Sequence, residues 1–216
     1  MKRVSPSSES TRTDCRVSER RFVSRAGDKL DHALNAFDLA VEGMRCADFG
    51  CNVGGFTDCL LSRGARQVTA IDTGYGVLAW KLRSDERVTV LERTNALHAE
   101  VPPDGNDLVV IDLAWTPQRL ALPAAMNWLA EGGRVVSLIK PHYELSEDRK
   151  HLLQGGFLPQ ELAPEVLKET LDSMAELGWN VLKTTQSPLV GGKSSRKRGV
   201  PGNIEYLAML EPLDAG

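Results

Sequence analysis

No run of about 18 apolar residues occurs in this sequence, so no stretch of it reads as a membrane-spanning helix. Cysteine is sparse as well: the four residues Cys15, Cys46, Cys51 and Cys59 form no C-x-x-C pair. Their spacings argue against a bound metal, and three of them fall in or beside expected buried elements, which points to reduced thiols in a cytoplasmic setting. A net charge of −3 supplies no global pull toward nucleic acid or an anionic membrane, so either partner would have to be met by a local patch. The first twenty residues, "MKRVSPSSESTRTDCRVSER", lack apolar periodicity and the apolar core of a signal peptide. They are expected to form a disordered polar tail, residues 1–20, ahead of one domain over 21–216. Internal repeats are absent. What is present, 42% hydrophobic residues in 216, suffices for a sizeable single core.

The apolar pattern changes period along the chain. In "AGDKLDHALNAFDL" Leu30, Ala33, Leu34 and Phe37 recur at helical spacing, with Lys29 just off the apolar stripe. Strand-like runs then alternate with helical ones: "RCADFG", the helix "GFTDCLLSR" stopped by Gly64, "QVTAID", "RVTVLE", "DLVVIDL" and "GRVVSLIK". Such alternation predicts a mostly parallel α/β sheet covered on both faces. A late helix is predicted to carry Leu167, Leu171, Met174 and Leu177 on one face and to end at Gly178. The last two strand-like runs, "WNVLKTT" and "NIEYLAML", have no helix between them and should pair antiparallel at one end of the sheet.

The stretch "CADFGCNVGGFTDCL" places a glycine turn between a strand and a helix, where backbone can approach a ligand at the carboxyl edge of the sheet. Its spacing, Gly50-x-x-x-Gly54-Gly55, is not the G-x-G-x-x-G of dinucleotide sites and lacks the glycine that admits a pyrophosphate. A ligand without phosphates, such as S-adenosylmethionine, fits better. The next strand ends at Asp72, 22 positions after Gly50, where an acid can accept bonds from ribose hydroxyls. Asp112 and Lys140 each close an apolar run, so both should emerge at that same edge and pair with one another, since an unpaired buried charge is costly. Pro141 biases Lys140 toward extended backbone.

Together "FVSRAGDKL", "DFGCNVGGFTDCLL", "AIDTGYGVLAWKLR", "VLERTNA" and "LIKPHYE" resemble the FtsJ-like ribose 2'-O-methyltransferases, and most closely the catalytic domain of the hemolysin-like TlyA group of ribosomal RNA methyltransferases. The resemblance runs from about Phe22 to Leu210. It implies a Rossmann-like, S-adenosylmethionine-dependent methyltransferase domain with a seven-stranded, mostly parallel sheet and an antiparallel last strand. It further implies a catalytic tetrad of Lys29, Asp112, Lys140 and Glu205. The implied cofactor-binding residues are Gly50, Asn52, Gly54, Gly55, Phe56, Asp72 and Asn95. Where the family tends to read Asp-Leu-Ser-Phe this chain has "DLAW", which keeps the acid and an aromatic. The resemblance also implies a small N-terminal RNA-binding domain, in whose place the polar tail is expected here.

Three readings follow: an RNA ribose 2'-O-methyltransferase acting on ribosomal RNA, a methyltransferase for another acceptor, and a non-catalytic cofactor- and RNA-binding or hemolysin-like factor. The first requires a hydroxyl held in line with the methyl donor and a way to remove its proton. A lysine with an ordinary pKa of about 10.4 is a poor base. Lys140 is therefore either a neutral base or a charged group that orients the hydroxyl, and two carboxylates against one further lysine favour the second. An acidic chain also needs a basic patch for RNA, and "GGKSSRKRGVPG" gathers Lys193, Arg196, Lys197 and Arg198 next to "NIEYL". If all four contact phosphate, neutralising them should flatten the slope of log affinity against log salt by up to about 2.8, with cofactor binding intact. An unchanged slope would return the run to an ordinary exposed loop.

Overall fold

The computed structural model describes residues 20–191 and 202–213. The proposed polar tail up to residue 19 and the basic run Lys193, Arg196, Lys197 and Arg198 lie outside the described residues.

Seven strands form one sheet in the order β3-β2-β1-β4-β5-β7-β6. The strands β1 (Arg45–Phe49), β2 (Gln67–Ile71), β3 (Val88–Leu91), β4 (Asn106–Ile111) and β5 (Leu129–Ile139) are mutually parallel. β7 (Tyr206–Pro212) inserts between β5 and β6 (Trp179–Gln186) and runs antiparallel to both, as the missing crossover helix predicts. Period-two alternation along the central strands builds two cores. Cys46, Val68, Leu108, Val110 and Leu207 face α1 (Ala26–Phe37), α2 (Gly55–Ser62) and α3 (Trp80–Arg83). Ala47, Phe49, Val109, Ile111 and Ala208 face α4 (Gln118–Met126) and α6 (Ala163–Asp172). Both faces being buried explains why the central strands read as continuous apolar runs. Cys46, Cys51 and Cys59 are all buried free thiols. Among the described residues no helix is long and apolar enough to cross a membrane.

Register places the chemistry. Phe49 is level with Ile71 of β2 and Ile111 of β4, so Gly50, Asp72 and Asp112 emerge side by side. Sequence order reverses between β1 and β4, which is where open α/β sheets leave a crevice. β5 continues to Ile139, paired with Tyr206 of β7, so Lys140 comes level with Glu205.

The late helix departs from its predicted extent. α6 stops at Asp172, where the Ser173 hydroxyl donates to the Thr170 carbonyl at 2.8 Å, and a 3₁₀ turn over Ala175–Leu177 follows. Met174 is still buried and Gly178, at φ +82°, still ends the segment. The tighter turn lets the Trp179 N–H reach back to the Met174 carbonyl at 3.0 Å and start β6 at once.

Candidate active site

The glycine turn is held by the sheet itself: the N–H groups of Gly50 and Cys51 both donate to the Ile71 carbonyl, at 2.9 and 3.0 Å. Gly50 has φ +87°, and a Cβ there would lie 2.7 Å from the Asp112 carbonyl oxygen, so no other residue fits. A cleft wraps around this residue. One lobe, about 250 Å³, is lined by Ser24, Lys29, Asp48, Phe56, Asp112 and Lys140. The other, about 330 Å³, is lined by Asp72, Thr94, Asn95, Leu97 and Trp115. Gly50, Asn52, Asp112 and Ala114 border both.

Gly54 and Gly55 border neither lobe. A Cβ on Gly54 would meet Leu82 at 2.3 Å, and one on Gly55 would meet the Ser24 hydroxyl at 2.3 Å and the Gly27 nitrogen at 2.9 Å. Their lack of side chains lets α2 pack against α3 and α1, a different reason from the ligand clearance expected of the turn as a whole.

In the first lobe two ion pairs stand in different environments. The Lys140 Nζ lies 2.6 Å from the Asp112 Oδ1 and donates to the Leu113 carbonyl at 2.9 Å. Both side chains keep some exposure to the cleft. Lys29 and Glu205 form a short hydrogen-bonded ion pair and are both buried. Lys29 reaches the lobe, whereas Glu205 sits behind it, against Gly191, where a Cβ would be 2.3 Å from its Oε1. Gly191 is also where the chain closes on Asn203, with its N–H donating to the Asn203 carbonyl at 2.8 Å. The two ends of the basic segment thus converge beside Glu205.

The second lobe is organised around Asp72. Its Oδ2 accepts the Asn52 N–H at 2.8 Å and its Oδ1 the Gly74 N–H at 2.7 Å. Each oxygen retains a lone pair for a hydroxyl in the lobe. The Asn95 side chain caps its own turn, accepting the Leu97 N–H at 3.0 Å.

Two features were not among the expected site residues. Asp48, the fourth of the five residues of β1, is fully buried; its Oδ2 accepts the Thr57 N–H and hydroxyl at 2.9 and 2.7 Å, while its Oδ1 has no partner among the described residues. Burial first, and then the charges of Asp112 and Asp72, push its carboxyl up to about 7 against the pull of the Thr57 hydrogen bonds. The signal was an acid inside an apolar strand run, "CADF". Trp115 is the other: its side chain is 80% exposed and its backbone, at φ +54°, is in the left-handed region that a bulky residue seldom adopts. Tyr143 lies 6.4 Å away between ring centroids, and the Lys140 Nζ is 6.0 Å from the Tyr143 ring. His142, whose ring lies tilted against Tyr143 at 4.0 Å, is driven down to about 4 by burial and the Lys140 charge and is neutral.

Chemically, the first lobe offers an ammonium whose carboxylate and carbonyl partners occupy two of its three donor directions, with the third left for a group in the cleft. The exposed aromatic ring of Trp115 borders the second lobe.

Comparison with known proteins bears on the same residues. The family model for FtsJ-like methyltransferase matches residues 22–200. A Mycobacterium tuberculosis protein, 16S/23S rRNA (cytidine-2'-O)-methyltransferase TlyA, is 43% identical over 197 residues, which cover 89% of this chain and 69% of that one. Two solved structures of hemolysin candidates are similar throughout. The one from Streptococcus thermophilus has a TM-score of 0.81 and 37% identity, covering 92% of this chain and 70% of its own. The one from Lactococcus lactis has a TM-score of 0.78 and 36% identity, covering 88% of each chain.

Proposed function

Because this chain belongs to the FtsJ-like methyltransferase family, we propose that it transfers a methyl group from S-adenosylmethionine to a ribose 2'-hydroxyl of RNA, and specifically of ribosomal RNA in the cytoplasm. The observation that carries the reading is the partly exposed Lys140–Asp112 pair in a cleft built around Gly50, in a chain that aligns over 89% of its length with an rRNA cytidine-2'-O-methyltransferase. Mapping 2'-O-methyl positions in ribosomal RNA from cells with and without the gene tests it. Loss of one or more positions is expected, and an identical map overturns the ribosomal target.

The residues of the cleft fit the cofactor. Asp72 would take the ribose hydroxyls, Asn95 and Leu97 would border the base, and Gly50 clears the backbone between the lobes. The unpartnered Oδ1 of Asp48 supplies a buried acceptor for the methionyl ammonium. The bound cofactor supplies a methyl group on a positive sulfur, already activated for transfer. This chain's own residues hold the acceptor. Lys140, fixed by Asp112 and the Leu113 carbonyl, directs its remaining N–H at the hydroxyl oxygen and stabilises charge that builds there as the proton passes to water in the partly exposed cleft. Lys29, neutralised by Glu205, adds a second positive edge to the lobe without a net charge beneath it. Trp115, which borders the second lobe near Tyr143, offers a flat exposed surface on which an unstacked nucleotide base can rest.

A pH dependence follows from Asp48. With its carboxyl at about 7, the free protein holds part of a proton there near neutrality. An ammonium against Oδ1 favours the ionised form, so binding releases that proton and tightens as pH rises toward 7 and slightly beyond. Affinity for S-adenosylmethionine should increase by up to about tenfold between pH 6 and pH 7.5. Calorimetry in buffers of different ionisation enthalpy should show release of about half a proton at pH 7, absent in Asp48→Asn. Binding with no proton release in the native protein would remove Asp48 from the cofactor site.

A further inference from the structure

Gln118, the first residue of α4, is pinned from two directions. Its side-chain amide oxygen accepts the Ser137 hydroxyl at 2.6 Å and its Nε2 donates to the Leu138 carbonyl at 3.4 Å. Both partners lie on β5 shortly before Lys140. The Gln118 backbone N–H is shared between the two carboxylate oxygens of Glu144, at 3.1 and 3.2 Å. Glu144 closes the short helix α5 (Pro141–Glu144) just after Lys140. The helix needs this acceptor, because its own N-cap, Pro117, makes no side-chain cap bond. A carboxylate there also meets the favourable end of the helix dipole.

The arrangement is a clasp. The segment from Asp112 to Pro117 runs from the end of β4 to Gln118, and Gln118 is tied to residues that bracket Lys140 on both sides. Between the clasp and the sheet, the Lys140 Nζ reaches across to Asp112 and the Leu113 carbonyl. Those two bonds survive only while the two segments keep their spacing. Trp115, strained at φ +54°, likewise persists only where the surrounding structure over-determines it.

We propose that Glu144 is a positioning residue for methyl transfer, acting through Gln118 to hold the segment that bears Asp112 and Trp115 against the turn that bears Lys140 and Tyr143. The role rests on the methyl-transfer reading above. Glu144 borders neither lobe of the cleft, so it acts only through the segments it holds; one of them, through Asp112, Ala114 and Trp115, also lines the second lobe.

The test uses the full chain and two conservative variants. Glu144→Asp keeps a carboxyl group but is one methylene too short to reach Gln118, and it should lower kcat on ribosomal RNA roughly tenfold, with a smaller rise, up to about threefold, in KM for S-adenosylmethionine. Glu144→Gln keeps the reach and an acceptor, and should retain at least about half of the native kcat. Hydrogen exchange, which needs no substrate, should accelerate over 112–118 and 140–144 in Glu144→Asp, remain near native in Glu144→Gln, and stay unchanged around Gly50 in both. A folded Glu144→Asp protein with native kcat, a Gln variant as slow as the Asp variant, or unchanged exchange in those segments would overturn the clasp. A native protein that methylates no ribosomal RNA would sink the functional reading instead, and exchange alone would then decide whether Glu144 holds the two segments together.

Discussion

Lys140→Ala should reduce methyl transfer by about a thousandfold, the scale of losing a donor aimed at developing charge, while S-adenosylmethionine affinity stays within about threefold. The reasoning is local. Lys140 lies at the acceptor end of the first lobe, away from Asp72, and its two fixed bonds, to Asp112 and the Leu113 carbonyl, leave one donor direction for the substrate. Its removal leaves Asp112 in a cleft open to water, so the fold should survive. Single-turnover rates on ribosomal RNA together with cofactor titration make the measurement, and a variant with most of its native rate would exclude Lys140 from the chemistry. The buried pair should behave differently. Lys29→Ala strands the Glu205 carboxylate in a site without solvent, and breaking such a pair costs about 3–5 kcal/mol of stability. Loss of activity there is expected to come with a lowered Tm, which is how the two pairs can be told apart.

Asp72→Ala should weaken S-adenosylmethionine binding by roughly 100-fold, about 3 kcal/mol, from two hydroxyl bonds to a charged acceptor. The figure is larger than for an ordinary surface acid because Asp72 is already oriented: the Asn52 and Gly74 N–H groups hold one oxygen each, so its free lone pairs face the second lobe without further ordering. Asn52, at φ +49°, owes part of its own position to that bond, so the substitution also loosens the turn after β1. Calorimetry should find the loss in S-adenosylmethionine binding and no compensating affinity for nicotinamide nucleotides. Unchanged S-adenosylmethionine affinity would move the ribose elsewhere in the cleft.

How far the molecule can be read from its residues depends on the range of the interaction involved. Leu30, Ala33, Leu34 and Phe37 declare α1 because helical burial repeats within a few residues, and Gly64 and Gly178 end their segments because a left-handed backbone is a local demand. Asp72, Asp112 and Lys140 could be placed at one edge because each closes a strand-like run, and parallel strands bring their ends together. The absence of a helix between the last two runs was enough to pair β6 with β7 antiparallel. By contrast, α4 carries Pro123 in its interior, and the clasp that caps it comes from Glu144, 26 residues away, so no local pattern marks its start.

The rest required the assembled sheet. Lys29 and Glu205 are 176 residues apart, and only the register of β7 beside β5, with α1 packed over it, turns two unremarkable surface-type residues into a buried pair. Packing also explains Gly54 and Gly55, because what a Cβ would strike there belongs to α3, α1 and the segments leading into them. Asp48 looks like any acid in a short strand until α2 lays Thr57 against one of its oxygens and leaves the other bare. Periodicity, turn chemistry and charge order along the chain thus determined the elements and the edge of the sheet that carries the chemistry. Which charges are buried, which are paired and which face the cleft was decided by tertiary structure alone, because desolvation and long-range pairing depend on neighbours that no local stretch of sequence contains.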